Sequence, residues 1–221
     1  MYMITILMPI YNGIEFIDDS VGSILSQTYD KWELIIGING HPENSSVYQT
    51  AKKYESEKVR IIDFHQIKGK ANTLNEMVKI STYDHIALLD VDDIWINSKL
   101  TYQIPFIFLD YDVVGTNCVY FGDREGETPP IPNGDISNFD FFYVNPIINS
   151  SVILKKELCW WDNTINGVED YDLWLSLRTQ NKRFYNCPQI LVKHRLHQES
   201  AFNSKGNNNL VDDLKLKHTI N

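Results

Sequence analysis

Apolar residues in the first half of the chain fall in short runs separated by polar turns. Met3 to Ile10 is one run, ending near Pro9 and followed by the turn signal Tyr11-Asn12-Gly13. It predicts a buried strand whose carboxyl end opens into a loop. Ile17, Val21, Ile24 and Leu25 recur at helical spacing, with Asp18, Asp19 and Ser20 suited to a first helical turn. The pattern then predicts a strand over Glu33 to Ile38, broken by Asn39-Gly40-His41-Pro42, and a helix over Ser45 to Ser56. A strand over Val59 to Phe64, a helix over Ala71 to Ile80 and a strand over Ile86 to Leu89 follow, the last running into Asp90. Strands alternating with helices imply an α/β domain with a mostly parallel central sheet flanked by helices. Ligands of such sheets sit at the carboxyl ends of the strands. Tyr11-Asn12-Gly13, Asn39-Gly40-His41 and Asp90 to Asp93 are therefore expected to line one crevice.

The second half is less regular. Strands are expected over Asp112 to Phe121 and Ile147 to Leu154, with one or two more within Arg183 to Leu196, and a small antiparallel element is expected somewhere in this half. Gly122 to Gly134 reads as an acidic Gly/Pro-rich loop, and Val168 to Gln180 has the spacing of a helix through Leu173, Leu175 and Leu177. From Asn203 an Asn-rich stretch reads as a flexible connection to a short basic-amphipathic tail, Leu210 to His218. No internal repeat divides the chain, so one domain is expected over 1–202, with 203–221 as a flexible tail.

Composition narrows the function classes. With 221 residues, 43% hydrophobic and 22% charged, the chain can bury a core without metal or disulfide staples. A net charge of -9 argues against a nucleic-acid surface, which needs a basic stripe. Nucleotides stay open, because a divalent cation neutralises a diphosphate even in an acidic cleft. Cys118, Cys159 and Cys187 form no CxxC pair and read as reduced core thiols of a cytoplasmic protein. The N-terminus lacks a basic n-region, and no apolar run approaches the ~20 residues that span a bilayer. Any membrane contact is expected to be peripheral; nothing predicts the oligomeric state.

Asp90, Asp92 and Asp93 place three carboxylates in four residues directly after a strand. They repel one another, and a cation relieves the repulsion. Hard oxygen ligands suit Mg²⁺ or Mn²⁺, which complete their shells with substrate phosphates and water. A second acidic cluster, Glu169-Asp170-Tyr171-Asp172, opens the late helix, where first-turn acids also suit the helix dipole.

Several ordered motifs together resemble family 2 glycosyltransferases of the GT-A (Rossmann-like) fold. They are Ile6-Leu7-Met8-Pro9-Ile10-Tyr11-Asn12-Gly13, Ser23-Ile24-Leu25-Ser26-Gln27-Thr28-Tyr29, Trp32-Glu33-Leu34-Ile35-Ile36, Gly69-Lys70-Ala71-Asn72-Thr73-Leu74-Asn75 and Leu88-Leu89-Asp90-Val91-Asp92-Asp93-Ile94-Trp95. The resemblance covers roughly residues 3 to 115 and 147 to 202, and divides the domain into a nucleotide-sugar-binding half, 1–115, and an acceptor and catalytic half, 116–202. It implies metal-dependent, inverting transfer of a sugar from a nucleotide-diphosphate donor, a UDP-sugar, to a hydroxyl acceptor such as a glycan. In that reading Pro9, Tyr11 and Asn12 border the nucleobase and ribose, Asp90 approaches the ribose, and Asp92 binds the Mn²⁺ or Mg²⁺ bridging the diphosphate. Lys70, or Lys68, reaches the diphosphate. His194-Arg195-Leu196-His197 resembles the family's Tyr-Arg-x-His segment, which makes His197 a metal or diphosphate contact and Arg195 a diphosphate or structural partner. The match makes Asp170 the catalytic base, with Glu169 beside it contacting the acceptor or orienting the site; Asp172 is expected to cap or pair within its own helix, and Asp93 to support its loop or cap the following helix. Trp160 and Trp161 either stack on a sugar or pack in the core. Asn39 departs from the pattern: the family has an Asp there to accept from the uracil ring N–H. The Asn amide oxygen keeps that contact without charge assistance. Two other classes compete, a nucleotide-sugar-binding relative without turnover and a nucleotidyltransferase. The second lacks a Gly-rich basic phosphate loop near the first strand.

Overall fold

The computed structural model describes residues 2–197 and 207–220. The chain opens as the apolar pattern predicts. Strand β1 (Ile4–Ile10) leads to α1 (Ile17–Leu25), β2 (Trp32–Asn39), α2 (Ser46–Ala51), β3 (Val59–Phe64), α3 (Lys70–Ile80) and β4 (His85–Leu88). Then come β5 (Ile94–Trp95), α4 (Lys99–Phe108), β6 (Val113–Gly122), β7 (Gly134–Asp135), β8 (Ile153–Lys155), α5 (Glu169–Thr179), β9 (Phe184–Leu196) and α6 (Asn207–Ile220).

These nine strands join one sheet in the order β3-β2-β1-β4-β8-β6-β9-β5, with β7 also on β9. Strands β3, β2, β1 and β4 run parallel, and β9 runs parallel to β6. The short β8 lies antiparallel between β4 and β6, and β5 and β7 lie antiparallel to β9. The expected α/β architecture with an antiparallel element in the second half is the one observed.

Strands buried on both faces read as unbroken apolar runs, and alternation sorts their side chains. Ile4, Ile6, Met8 and Ile10 join Leu34, Ile36 and Ile38 in one core, beneath α1 and α4. Leu7 and Ile35 point the other way, into a second core with Leu74 and Met77 of α3 and Leu173 and Trp174 of α5. The three cysteines are free and buried.

Ile147 to Leu154 is not one strand. Asn149–Ser151 forms a 3-10 turn, and only Ile153–Lys155 pairs in the sheet. The polar side chains explain this: Asn149 and Ser150 hydrogen-bond to Asp90, and the Ser151 hydroxyl accepts from the Thr116 amide. Of the expected tail, 203–206 lies outside the described residues, while 207–220 is the helix α6 with Leu214 buried. No helix among the described residues is long and apolar enough to cross a membrane.

Candidate active site

A cleft of about 670 Å³ opens at the carboxyl ends of the parallel strands. Each strand end contributes what the topology predicts. Pro9, Tyr11 and Asn12 follow β1, Asn39 and Gly40 end β2, and Asp90 and Asp92 follow β4. Lys68 and Lys70 reach in from the start of α3, Asn166, Gly167 and Glu169 from the start of α5, and His194 and His197 from the end of β9. Of the residues that the motifs assign to donor, metal or catalysis, only Asp170 and Arg195 do not line it.

Two glycines let the walls approach. Gly13 has φ 85°, and a Cβ there would sit 3.0 Å from the Val91 side chain, so the turn after β1 can lie against the acidic loop. Gly40 has φ 73°, and a Cβ there would come within 2.9 Å of the Tyr11 ring. That ring is 57% exposed at the mouth, 5.3 Å from the His41 ring, whereas Asn39 is 3% exposed on the floor.

The acidic loop is held from several sides. Asp90 lies 2.5 Å from the Lys70 ammonium, accepts from the Asn149 amide at 3.0 Å, and is anchored through its backbone N–H to Ser150 Oγ. Burial pushes the Asp90 carboxyl up, but Lys70 and Asn149 more than offset this and hold it below its ordinary value. Asp93 is fully buried. It accepts from the Arg195 backbone N–H at 2.8 Å and pairs with His194 Nδ1 at 3.0 Å. It therefore supports the loop and does not cap α4, whose N-cap is Ser98. Burial disfavours charge on His194, yet the Asp93 carboxylate and its neighbours raise the imidazole to about 9.

Asp92 is the exception. Burial and the adjacent Asp93 and Asp90 push it up to about 6. Its Oδ2 lies 3.1 Å from His197 Nε2, so a carboxylate and an imidazole converge on one point of the cleft. No group of three or more His, Cys, Asp or Glu side chains forms a metal cage among the described residues. Two protein ligands plus phosphate oxygens and water are nonetheless how Mg²⁺ and Mn²⁺ are commonly held. The surplus negative charge at Asp92 fits that use.

Arg195 stands behind this loop. Its Nε donates to the Asp92 carbonyl at 2.9 Å, its NH2 donates to Asp19 at 3.0 Å, and Phe16 and Phe121 cover its two faces at 4.2 and 4.3 Å. Of the two expectations for Arg195, the geometry is that of the structural partner.

Across the cleft, Glu169 is 8% exposed and its Oε2 accepts from the Gly167 N–H at 2.7 Å. The half-buried Asp170 beside it is raised to about 6 by burial and by Glu169, with Lys70 pulling the other way. Burial works against charge on Lys70, but Asp90, Glu169 and Asp170 together raise its value. Lys70 is thus paired with Asp90 and lies in the field of the second acidic cluster. Asp172 does not pair within α5; it bonds to Lys217 and His218 of α6. Trp161 is core, fastened to Asn75 by two hydrogen bonds of 2.8 and 3.0 Å, whereas Trp160 is 67% exposed. Asn149 and Ser150 were missed as supports of Asp90, since nothing in local spacing ties them to a residue about sixty positions away.

Comparison with known proteins bears on this geometry. A family model described as Glycosyl transferase family 2 matches residues 5–161. The chain is similar to UDP-Glc:alpha-D-GlcNAc-diphosphoundecaprenol beta-1,3-glucosyltransferase WfgD of Escherichia coli, at 28% identity over 92% of this chain and 81% of that one. It is also 28% identical to the putative glycosyltransferase EpsE of Bacillus subtilis, over 96% of this chain and 80% of that one. Among solved structures, S. aureus TarS 1-349 in complex with UDP-GlcNAc superposes with a TM-score of 0.74 at 14% identity, covering 92% of this chain and 61% of that one. Mannosyltransferase PcManGT from Pyrobaculum calidifontis, in complex with GDP-Man and Mn2+, gives 0.68 at 16% identity over 90% and 59%. The chain spans about three fifths of those solved chains. At such identity the likeness speaks for the fold, which is the GT-A arrangement expected from the motifs.

Proposed function

The chain belongs to glycosyl transferase family 2, and on that premise we propose that it transfers a sugar from a nucleoside-diphosphate donor to a hydroxyl acceptor with inversion. The observation that carries the reading is that the paired Asp92 and His197 share a single cleft with Glu169, whose neighbour at the start of α5 is Asp170. Tyr11, Asn12 and Pro9 receive the nucleoside, and Asn39 offers its amide to the base. Asp90, oriented by Asn149, takes the ribose. Lys70 exchanges Asp90 for the incoming diphosphate. Asp92 and His197 would hold Mn²⁺ or Mg²⁺, which when bound supplies positive charge against the leaving diphosphate.

Asp170 accepts the proton of the acceptor hydroxyl as that oxygen attacks the anomeric carbon from the face opposite the diphosphate. The C–O bond to the diphosphate breaks as the new glycosidic bond forms, so no covalent intermediate is needed. A carboxyl at about 6 suits a general base, being ionised near neutral pH yet basic enough to take the proton. Support for a UDP-sugar comes from the donor in the name of the E. coli relative. A glycan or other hydroxyl acceptor follows from the reaction class. Residues 1–115 are the donor half and 116–202 the acceptor half.

Calorimetry with UDP, with and without Mn²⁺, tests the donor side. Wild type is expected to bind UDP at least tenfold more tightly with Mn²⁺, and Asp92→Asn is expected to lose that gain. An Asp92→Asn protein with undiminished metal-dependent affinity overturns the assignment.

A further inference from the structure

Helix α6 packs its Leu214 into the core shared by α3 and α5, with Val211 at the margin. Two of its side chains meet the catalytic side of the protein. Lys217 Nζ lies 2.9 Å from Asp172 Oδ1 and 3.0 Å from Asp162 Oδ2, and His218 Nε2 lies 2.7 Å from the same Asp172 oxygen. Asp172 is 4% exposed, so this carboxylate depends on α6 for its side-chain partners. It sits two residues after Asp170. In a helix of 3.6 residues per turn these two side chains project about 200° apart. Pinning Asp172 therefore fixes the rotation of the first turn of α5, and with it the direction of Asp170. Asp162 belongs to the turn after Trp161, which Asn75 fastens to α3. The same lysine thus joins α5 to the preceding loop.

We propose that α6 is a clasp for the acceptor side of the cleft, in which Lys217 and His218 act as positioning residues that hold Asp172 and so set the aim of Asp170. The consequence for transfer rests on the role given to Asp170 above. The clasp itself does not.

The test uses the whole chain with Lys217→Ala and His218→Ala combined, and a triple variant that adds Asp172→Asn. Hydrogen exchange at the amides of residues 168–173 should accelerate at least tenfold in the double variant, with β1 and β4 unchanged. Unchanged exchange overturns the clasp, whether or not the protein transfers sugar. With donor and acceptor, the double variant should lose about ten- to a hundredfold in kcat, the scale of a small misalignment, while its UDP–Mn²⁺ affinity stays at the wild-type value. The triple variant separates positioning from stability. It removes the stranded carboxylate, so its Tm should recover while kcat stays low. If kcat returns to the wild-type value along with Tm, α6 only stabilises the fold and the proposal fails. Should wild type bind no UDP and transfer no sugar, the functional reading falls and the exchange result still decides the clasp.

Discussion

Replacing Asp170 by Asn removes the proposed base with almost no change of shape, and it should have two opposite effects. The carboxyl moves from its ordinary value of 3.8 to about 6 in the folded protein. At about 1.4 kcal/mol per pH unit, ionising it in place costs the fold about 3 kcal/mol. The sign follows from proton binding. Because the folded value lies above the unfolded one, the folded state holds the proton more tightly between these two values, and stability falls as pH rises through that window. Above about pH 6 the whole penalty is present; below about pH 4 none remains. Asp170→Asn should therefore exceed wild type in stability at pH 7.5 by about 2–3 kcal/mol, and match it at low pH. For a chain of this size that is a Tm higher by roughly 5–10 °C.

Activity should move the other way, falling by about 10²–10⁴ in kcat, the usual contribution of a general base. The wild-type kcat/KM should rise about tenfold per pH unit below a midpoint near 6 and then level off. Thermal melts at pH 4 and 7.5, with transfer assays on the same preparations, check all three. An Asn variant that transfers sugar at the wild-type rate, or melts below wild type at pH 7.5, refutes the reasoning.

Removing the imidazole in His197→Ala should weaken Mn²⁺-dependent UDP binding by roughly tenfold or more, leaving metal-free UDP binding unchanged; calorimetry in EDTA and in Mn²⁺ separates the two. Arg195→Lys keeps the charge but loses the planar fork between Phe16 and Phe121 and its bond to the Asp92 carbonyl. It should destabilise by about 1–3 kcal/mol in denaturant titrations and also loosen the Mn²⁺ requirement, whereas a pure phosphate contact would lower UDP affinity without altering stability. Asn39→Asp should tighten UDP binding by up to about tenfold by restoring a charge-assisted bond to the uracil ring N–H; weaker binding would show that Asn39 does not read the base.

The first half of the fold was legible because its strands are buried on both faces and announce themselves as apolar runs. β1 to β4 fall within a residue or two of the predicted spans. Helix α4 was harder to read, since Pro105 lies inside it. The strand expected at Ile147 failed because three polar side chains are used for tertiary bonds rather than for the sheet. The site divides the same way. Residues at strand ends, such as Tyr11, Asn39, Asp90 and Asp92, are placed by topology alone. Asn149, the Asp93–His194 pair and the Arg195 sandwich join segments roughly sixty to a hundred and eighty residues apart, and periodicity carries no such information. Asp172 misled for the same reason: an acid in a first helical turn has a sufficient local explanation, and its real partners lie on α6.

The aspartates of the two acidic clusters, alike in sequence, are separated by their surroundings. Asp90 has an ammonium and an amide and is driven below its ordinary value, which marks it as a fixed anion. Asp93 has the backbone N–H of Arg195 and the His194 imidazole, is fully buried and does not line the cleft, so it stabilises the loop. Asp92 and Asp170 are each raised to about 6, first by burial and then by different neighbours. Asp92 is crowded by two neighbouring aspartates beside a single imidazole, a deficit that a divalent cation would fill. Asp170 is raised chiefly by burial next to Glu169, and a passing proton suits that deficit. Environment thus sets Asp90 apart from Asp92 and Asp170, while the neighbours of the last two distinguish them from each other. These surroundings agree with the proposed division of labour, in which the Asp90–Asp93 loop holds the donor and Asp170 of α5 takes the proton, with Lys70 in the field of both clusters.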